Sequence, residues 1–279
     1  MVEPVQIVPG SGVVYQEINW SLLVRCLSFS SPLCEPAHDT PILQKAIEKA
    51  CALGGVPLEV IVGTPKDRYG ARITLRLPFD KSEFVRAFGL DGHPWGLPEW
   101  VGLRTQGDGR LVIKAYHKEG PVDPLPFQEK LSGRLDLVMA ALHGDSTEAY
   151  WRFRGACPWQ EFVEICLEGF GAAKLDYDFQ PTPASVPDSF GVSEKREGGK
   201  VRAIALFAHY RALPDDATVS RLWTRDIPEQ DREAYELALA AVRSTGQRQL
   251  GTWHAMLTWT LECSGEWHKS ASLLFPVPS

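Results

Sequence analysis

Residues 109–118 read GRLVIKAYHK. In an extended strand successive side chains point to opposite faces. Leu111, Ile113 and Ala115 then share one face, and Arg110, Val112, Lys114, Tyr116 and Lys118 share the other. A strand that covers a core on one side ordinarily shows water a loose polar mixture on the other. A lysine and a tyrosine two residues apart at the strand centre are a more particular pattern, and other segments repeat its logic. In ARITLRL (71–77) Ile73, Leu75 and Leu77 oppose Arg72, Thr74 and Arg76. In AAKLDYDF (172–179) Leu175, Tyr177 and Phe179 oppose Lys174, Asp176 and Asp178. GTWHAMLTWTL (251–261) sets Trp253, Ala255, Leu257, Trp259 and Leu261 against Thr252, His254, Met256, Thr258 and Thr260, and ALFAHYR (205–211) groups Phe207 with His209 and Arg211.

The order of elements says how these strands are arranged. A helix is expected over DTPILQKAIEKACAL (39–53), with Thr40 as cap and Pro41 at its first position. Two strands follow, PLEVIV (57–62) and ARITLRL, joined by the turn-rich GTPKDRYG. DKSEFVRAF (80–88) reads as a short helix with Asp80 and Glu83 at capping-box spacing. WVGLRT (100–105) and RLVIKAYH (110–117) make a second strand pair. Helical patterns return at PFQEKLSGRLDLVMAAL (126–142) and PWQEFVEICLEGF (158–170). AAKLDYDF and VRAIALFAHYR (201–211) come next, separated by a Pro/Ser/Gly-rich connection over 180–200. A helix over EQDREAYELALAAV (229–242) precedes the last pair, GTWHAMLTWTL and HKSASLLF (268–275). The segment NWSLLVRCLSFS (19–30) fits a strand or a helix equally.

Hairpins separated by helices do not fit a parallel sheet, where strands alternate singly with helices. Enough hairpins laid edge to edge let an antiparallel sheet close on itself, which removes its exposed edges. The expected fold is therefore α+β: a closed antiparallel barrel ringed by helices, one domain over 1–279. Helices bury the apolar face at about 25 cal/mol per Å². The polar face becomes a lumen holding Arg72, Arg76, Lys114, Lys174 and Arg211, with Tyr116, His209 and the carboxylates Glu59, Asp176 and Asp178. Several cations in an enclosed space call for an anion, because unpaired buried charge is costly. A diphosphate meets that need. An open sheet with one solvated face would show the same alternation, and the residue pattern alone leaves both arrangements open.

Composition narrows the class. With 279 residues and a formal net charge of −6, the chain has length for a substantial core and no electrostatic reason to bind nucleic acid or an anionic membrane. No apolar run approaches the roughly 20 residues that span a bilayer, and MVEPVQIVPG lacks the features of a signal peptide. Cys26, Cys34, Cys51, Cys157, Cys166 and Cys263 form no CxxC pair and are read as reduced, buried thiols. A cytoplasmic monomer is expected. No Walker loop, HExxH or GxSxG is present, and LPDDATVS (213–220) carries only the first two aspartates of a DDxxD box.

From about residue 34 onward the chain resembles the ABBA, or PT-barrel, prenyltransferases, most closely the cyanobactin-type enzymes that prenylate ribosomal peptides. PLEV (57–60) resembles the first-strand segment bearing a catalytic glutamate, at Glu59. GARITLRLPF places Arg72 at a diphosphate-binding arginine, LVIKAYH supplies Lys114 and Tyr116, GFGAAKLDYDF supplies Lys174, and LFAHYRA supplies His209 and Arg211. The resemblance implies a ten-stranded barrel, of which eight strands are readable above. It further implies transfer of a dimethylallyl or geranyl group from its diphosphate to a peptide side chain or terminus. Arg72, Lys114, Tyr116, Lys174, His209 and Arg211 would hold the diphosphate, Glu59 would act as base, and Mg2+ would accompany the donor. A lumen wall at Ser189 or Phe190 would set donor length, serine favouring geranyl and phenylalanine dimethylallyl. The alternatives are the same barrel acting on a small indole or phenol, a non-catalytic ligand-binding barrel, and an α+β interaction protein whose polar strand face meets water.

Overall fold

The computed structural model describes residues 36–63, 72–105, 110–123, 125, 130–131, 134–154, 157–171, 189–209, 217, 221, 229–243 and 254–275. Ten antiparallel strands form a closed barrel: β1 (Val56–Gly63), β2 (Arg72–Arg76), β3 (Trp100–Thr105), β4 (Leu111–His117), β5 (Leu135–His143), β6 (Ser146–Phe153), β7 (Ser189–Glu197), β8 (Lys200–His209), β9 (His254–Glu262) and β10 (Trp267–Leu274). Each strand pairs with its neighbours in sequence. The ring closes where β1 meets β10, from Glu59 opposite Leu274 to Gly63 opposite Ser270. Helix α1 (Pro36–Ala52) precedes β1, and α2 (Ser82–Ala87), α3 (Trp159–Gly169) and α4 (Glu229–Arg243) lie between successive hairpins. All the hairpin turns therefore sit at one end of the barrel, and all the helical connections at the other.

Helix-facing and lumen-facing residues alternate as the strand patterns require. Val60, Ile73, Leu75, Val101, Leu103, Ala115, Trp151, Val192, Leu206, Leu257 and Leu273 belong to the outer core. Against them α3 buries Trp159, Phe162, Val163, Cys166 and Leu167, a one-sided stripe at helical spacing. Tyr235, Ala238, Leu239 and Val242 do the same from α4, and Leu43, Ala46, Ile47 and Ala50 from α1. Truncating a fully buried member such as Leu75 or Leu103 to alanine costs about 2–5 kcal/mol.

Several local expectations change. α1 begins at Pro36, so Pro41 lies inside the helix and not at its first position. α2 has no side-chain cap at Lys81; Asp80 instead accepts a hydrogen bond from the Ser82 backbone N–H at 3.0 Å. Residues 135–142, expected as helix, form most of β5, and β6 and β7 are strands that the sequence pattern did not announce. In both hairpins a two-residue turn does the work. His143 faces Ser146 across Gly144-Asp145, and Glu197 faces Lys200 across Gly198-Gly199. Gly144, Gly198 and Gly199 have φ of 59°, 56° and 77°, the left-handed conformation that tight hairpins demand. The segments 19–30 and 172–179 lie outside the described residues. Of the cysteines within them, Cys51 and Cys166 are buried, Cys157 is half-buried, and Cys263 is exposed, contrary to expectation. No helix among the described residues is long and apolar enough to cross a membrane.

Gly191 on β7 is required by a close approach. A Cβ there would collide with the Trp151 carbonyl oxygen and come within 2.6 Å of the Phe207 ring. Gly191→Ala is expected to destabilise the barrel by about 1–3 kcal/mol in urea denaturation, the usual cost of overpacking a filled site. A second expectation concerns acid. His117, 3 % exposed on the helix side of β4, stacks on His93 at 4.6 Å with Trp95 edge-on at 5.6 Å. Burial, the neighbouring His93 and Lys81 lower its pKa to about 4, below its ordinary 6.5. The unfolded chain therefore binds the proton first, and stability falls as pH drops from 6.5 towards 4. His117→Gln should flatten that part of the stability profile.

Candidate active site

The polar strand faces converge on a lumen cavity. Arg72 of β2, Arg104 of β3, Lys114 of β4, His143 of β5, Glu148 and Tyr150 of β6, Ser193 and Lys195 of β7 line it, with Phe207, Met256, Thr258, Thr260, Glu262, His268 and Ser270 from β8 to β10. Arg72, Arg104, His143, Lys195, Glu262 and His268 lie towards the hairpin ends of their strands, so charge is concentrated in that half of the barrel. Towards the helical end the wall carries Tyr116, Phe207, Met256 and Ser189.

Lys114 is the best-defined cation. Its Nζ donates to Glu148 Oε2 in a tight ion pair and to the Tyr150 hydroxyl at 2.8 Å. It also sits 5.2 Å from the Tyr116 ring centre and 5.3 Å from that of Tyr150, so both aromatic faces contribute to holding the charge. Ser193 Oγ donates to the other Glu148 oxygen at 2.9 Å. Burial alone would raise the Glu148 carboxyl, but Lys114, Arg72 and the Ser193 hydrogen bond outweigh it and hold the pKa at about 2. Glu148 is thus a carboxylate at any working pH. Burial, with Glu148 and Tyr116 alongside, pushes the Tyr150 phenol well above its ordinary range, so it remains protonated. Burial and the nearby Arg104, Lys114 and Lys195 lower His143, which favours the neutral imidazole.

Glu59 stands apart from this cluster. It accepts a short hydrogen bond from Ser272 Oγ on the neighbouring strand. Strand pairing puts Glu59, Thr74, Gly102 and Lys114 in one cross-strand row. Three strand spacings separate Glu59 from Lys114, roughly 14 Å along the wall. The gap is left by Gly102, over which Tyr116 lies: a Cβ at 102 would meet the Tyr116 ring at 3.2 Å. Thr74 Oγ1 and His268 Nδ1 are buried without a hydrogen-bond partner, and both belong to lumen-facing positions.

Of the residues expected at a site, Arg72, Lys114 and Tyr116 come together, and Glu59 faces the same lumen. His209 is half-buried and meets Phe207 edge-on at 5.4 Å. Lys174 and Arg211 lie outside the described residues, as do Asp176 and Asp178. Arg76 is exposed at the helical end of β2. Phe190 turns away from the lumen: its ring stacks on Phe153 at 5.2 Å and packs on Phe162 and Trp159 of α3. It therefore cannot wall the cavity, because it occupies the opposite strand face from Ser193 and Lys195. Ser189 shares their face. Arg104, His143, Glu148, Tyr150 and Lys195 also line the cavity, and the strand reading missed them. No three His, Cys, Asp or Glu side chains among the described residues converge as metal ligands, and both Glu148 oxygens are already engaged. The described lumen residues do not by themselves form a protein-held Mg2+ site.

No sequence-family profile matches the chain, and no curated protein matches it. Solved structures do. The chain is similar to AnaPT from Neosartorya fischeri, at 10% identity and a TM-score of 0.56, over 93% of this chain and 92% of that one. It is similar to 5-dimethylallyltryptophan synthase from Streptomyces coelicolor (14%, TM-score 0.56, 91% and 96% covered). It also resembles the prenyltransferase PriB, solved with L-tryptophan and dimethylallyl thiolodiphosphate (15%, TM-score 0.56, 93% and 97% covered). The fold is that of the ABBA prenyltransferases. These likenesses cover the barrel as a whole.

The Lys114–Glu148 pair yields a stability test. Lys114→Met leaves the buried Glu148 carboxylate with only the Ser193 hydroxyl and the charge of Arg72 to hold it, and is expected to cost about 1–3 kcal/mol in urea denaturation. Adding Glu148→Gln should recover most of that loss, since the orphaned charge disappears with it.

Proposed function

We propose that this protein transfers an isoprenyl group from an allylic diphosphate to an electron-rich aromatic acceptor. The supporting observation is the convergence of Arg72, Arg104, Lys114 and Lys195 in the lumen of a closed barrel, next to a wall of Tyr116, Tyr150 and Phe207. Such a set suits a diphosphate leaving group beside a hydrocarbon tail. As the allylic C–O bond breaks, its electron pair goes to the diphosphate, whose added charge the arginines and lysines stabilise. The allylic cation faces aromatic rings, which favour positive charge and keep water from capturing it. An aromatic carbon of the acceptor then bonds to the allylic carbon, and the proton displaced from that carbon passes to Glu59, held in place by Ser272.

The acceptor assignment follows the fold's solved relatives. PriB was solved with L-tryptophan, and NotF with brevianamide F, each together with DMSPP. An indole or phenol is accordingly preferred here over a ribosomal peptide, with a peptide-borne aromatic side chain as the second acceptor to assay. Ser189 lies on the lumen face towards the helical end, and its small side chain there would suit geranyl diphosphate.

Mass spectrometry after incubation with dimethylallyl or geranyl diphosphate and a panel of tryptophan, tyrosine, a cyclic tryptophan dipeptide and linear peptides tests the assignment. Gain of one C5H8 or C10H16 unit on a free aromatic compound is expected. Products formed only on peptides would reassign the acceptor, and no product from any pairing would refute transfer. Glu59→Gln is expected to lower turnover by about 100-fold or more while changing diphosphate affinity little. Ser189→Phe is expected to shift the donor preference from ten carbons to five, measured as the ratio of kcat/KM values.

A further inference from the structure

Glu148 is an odd neighbour for a diphosphate. It lies inside the cation cluster, carries a full negative charge, and occupies the ammonium of Lys114. Its second oxygen is engaged by Ser193, and Arg72 is close enough to help hold it ionised. An incoming diphosphate that uses Lys114 must either share it with this carboxylate or take it over. Sharing sets two anions side by side in a cavity where charge is poorly screened. Taking it over needs a carboxylate that can remain satisfied elsewhere, and the Ser193 hydroxyl and Arg72 provide that.

Resting on the reading of the lumen as a diphosphate site, we propose that Glu148 is a resident counter-ion that occupies Lys114 until the diphosphate displaces it, and so sets donor affinity. No bond is made or broken in the exchange: the Lys114 ammonium passes from one anion to another. The barrel gains an internally neutralised cluster when it holds no donor, and loses part of its attraction for the donor in return. Glu148 acts through Lys114 and is a positioning residue in this scheme. The same arrangement favours release of diphosphate after transfer, because the carboxylate competes to recapture Lys114.

Inorganic pyrophosphate, titrated calorimetrically at low ionic strength, is the probe. Glu148→Gln keeps the shape and the Ser193 hydrogen bond but removes the charge. It should bind pyrophosphate at least about 10-fold more tightly than the unaltered protein, as expected when a close like charge is removed. In kinetics the variant should show a lower KM for the donor and a lower kcat, because diphosphate release slows. Lys114→Met should lose affinity, and Lys114→Met/Glu148→Gln should regain most of it, a rescue that a purely structural role for Glu148 does not give. Thermal melting confirms that each variant is folded. Unchanged or weaker binding in folded Glu148→Gln, with pyrophosphate binding to the unaltered protein intact, overturns the counter-ion role and leaves the diphosphate site standing. Absence of pyrophosphate binding in the unaltered protein and every variant overturns both.

Discussion

Backbone pairing between β1 and β10 is the constraint on which everything else rests. Five residue pairs, from Glu59–Leu274 to Gly63–Ser270, turn an antiparallel meander into a ring. An open sheet would show its arginines and lysines to bulk water, where each is solvated alone and contributes little. Closure sends the same side chains into one enclosed space, where they interact with one another and must be balanced. Helices can then cover the outer face all the way round, because no strand edge interrupts it. The polar interior is thus a consequence of closure and alternation together.

Balance inside that space comes from Glu148, Glu59 and Glu262 among the described lumen residues. They differ in setting. Glu148 is locked among cations and held ionised, so it is unsuited to accept a proton during turnover. Glu59 has a hydroxyl as its partner and sits across the Gly102 gap from Lys114. In the transfer proposed above, the two carboxylates would divide their duties by environment: Glu148 would manage the charge of the leaving group, and Glu59 would serve the acceptor. Gly102 and Gly191 shape the space between, each leaving room for an aromatic ring, Tyr116 and Phe207 respectively.

Much of this was legible in the strand patterns. GRLVIKAYHK, ARITLRL and GTWHAMLTWTL alternate cleanly because one face packs on helices and the other lines a polar lumen, as Ile73, Leu75, Ala115, Leu257 and Trp259 on one side and Arg72, Lys114, Met256, Thr258 and Thr260 on the other show. β5 was not legible because LDLVMAAL is apolar on both faces from Leu137 to Leu142, where Met139 and Ala141 turn inward beside Tyr150 and Tyr116. A run of that kind satisfies a helical template as well as a strand. β6 and β7 were missed for another reason. Their turn signals, Gly144-Asp145 and Gly198-Gly199, were present, but the second lay in a stretch rich in turn-forming residues and read as a linker. With those three strands went His143, Glu148, Tyr150 and Lys195, the half of the site that neutralises and surrounds Lys114. Phe190 followed from the same gap: without β7 there was no strand parity to show that it faces α3.

A crystal structure of the protein with dimethylallyl or geranyl thiolodiphosphate would decide whether the lumen is a donor site. Diphosphate density is expected in the hairpin-end half of the lumen, within hydrogen-bond distance of Arg72 and Lys114, with the hydrocarbon tail directed past Tyr116 and Phe207. Density on the outer surface, or a lumen without the ligand at saturating concentration, would contradict it.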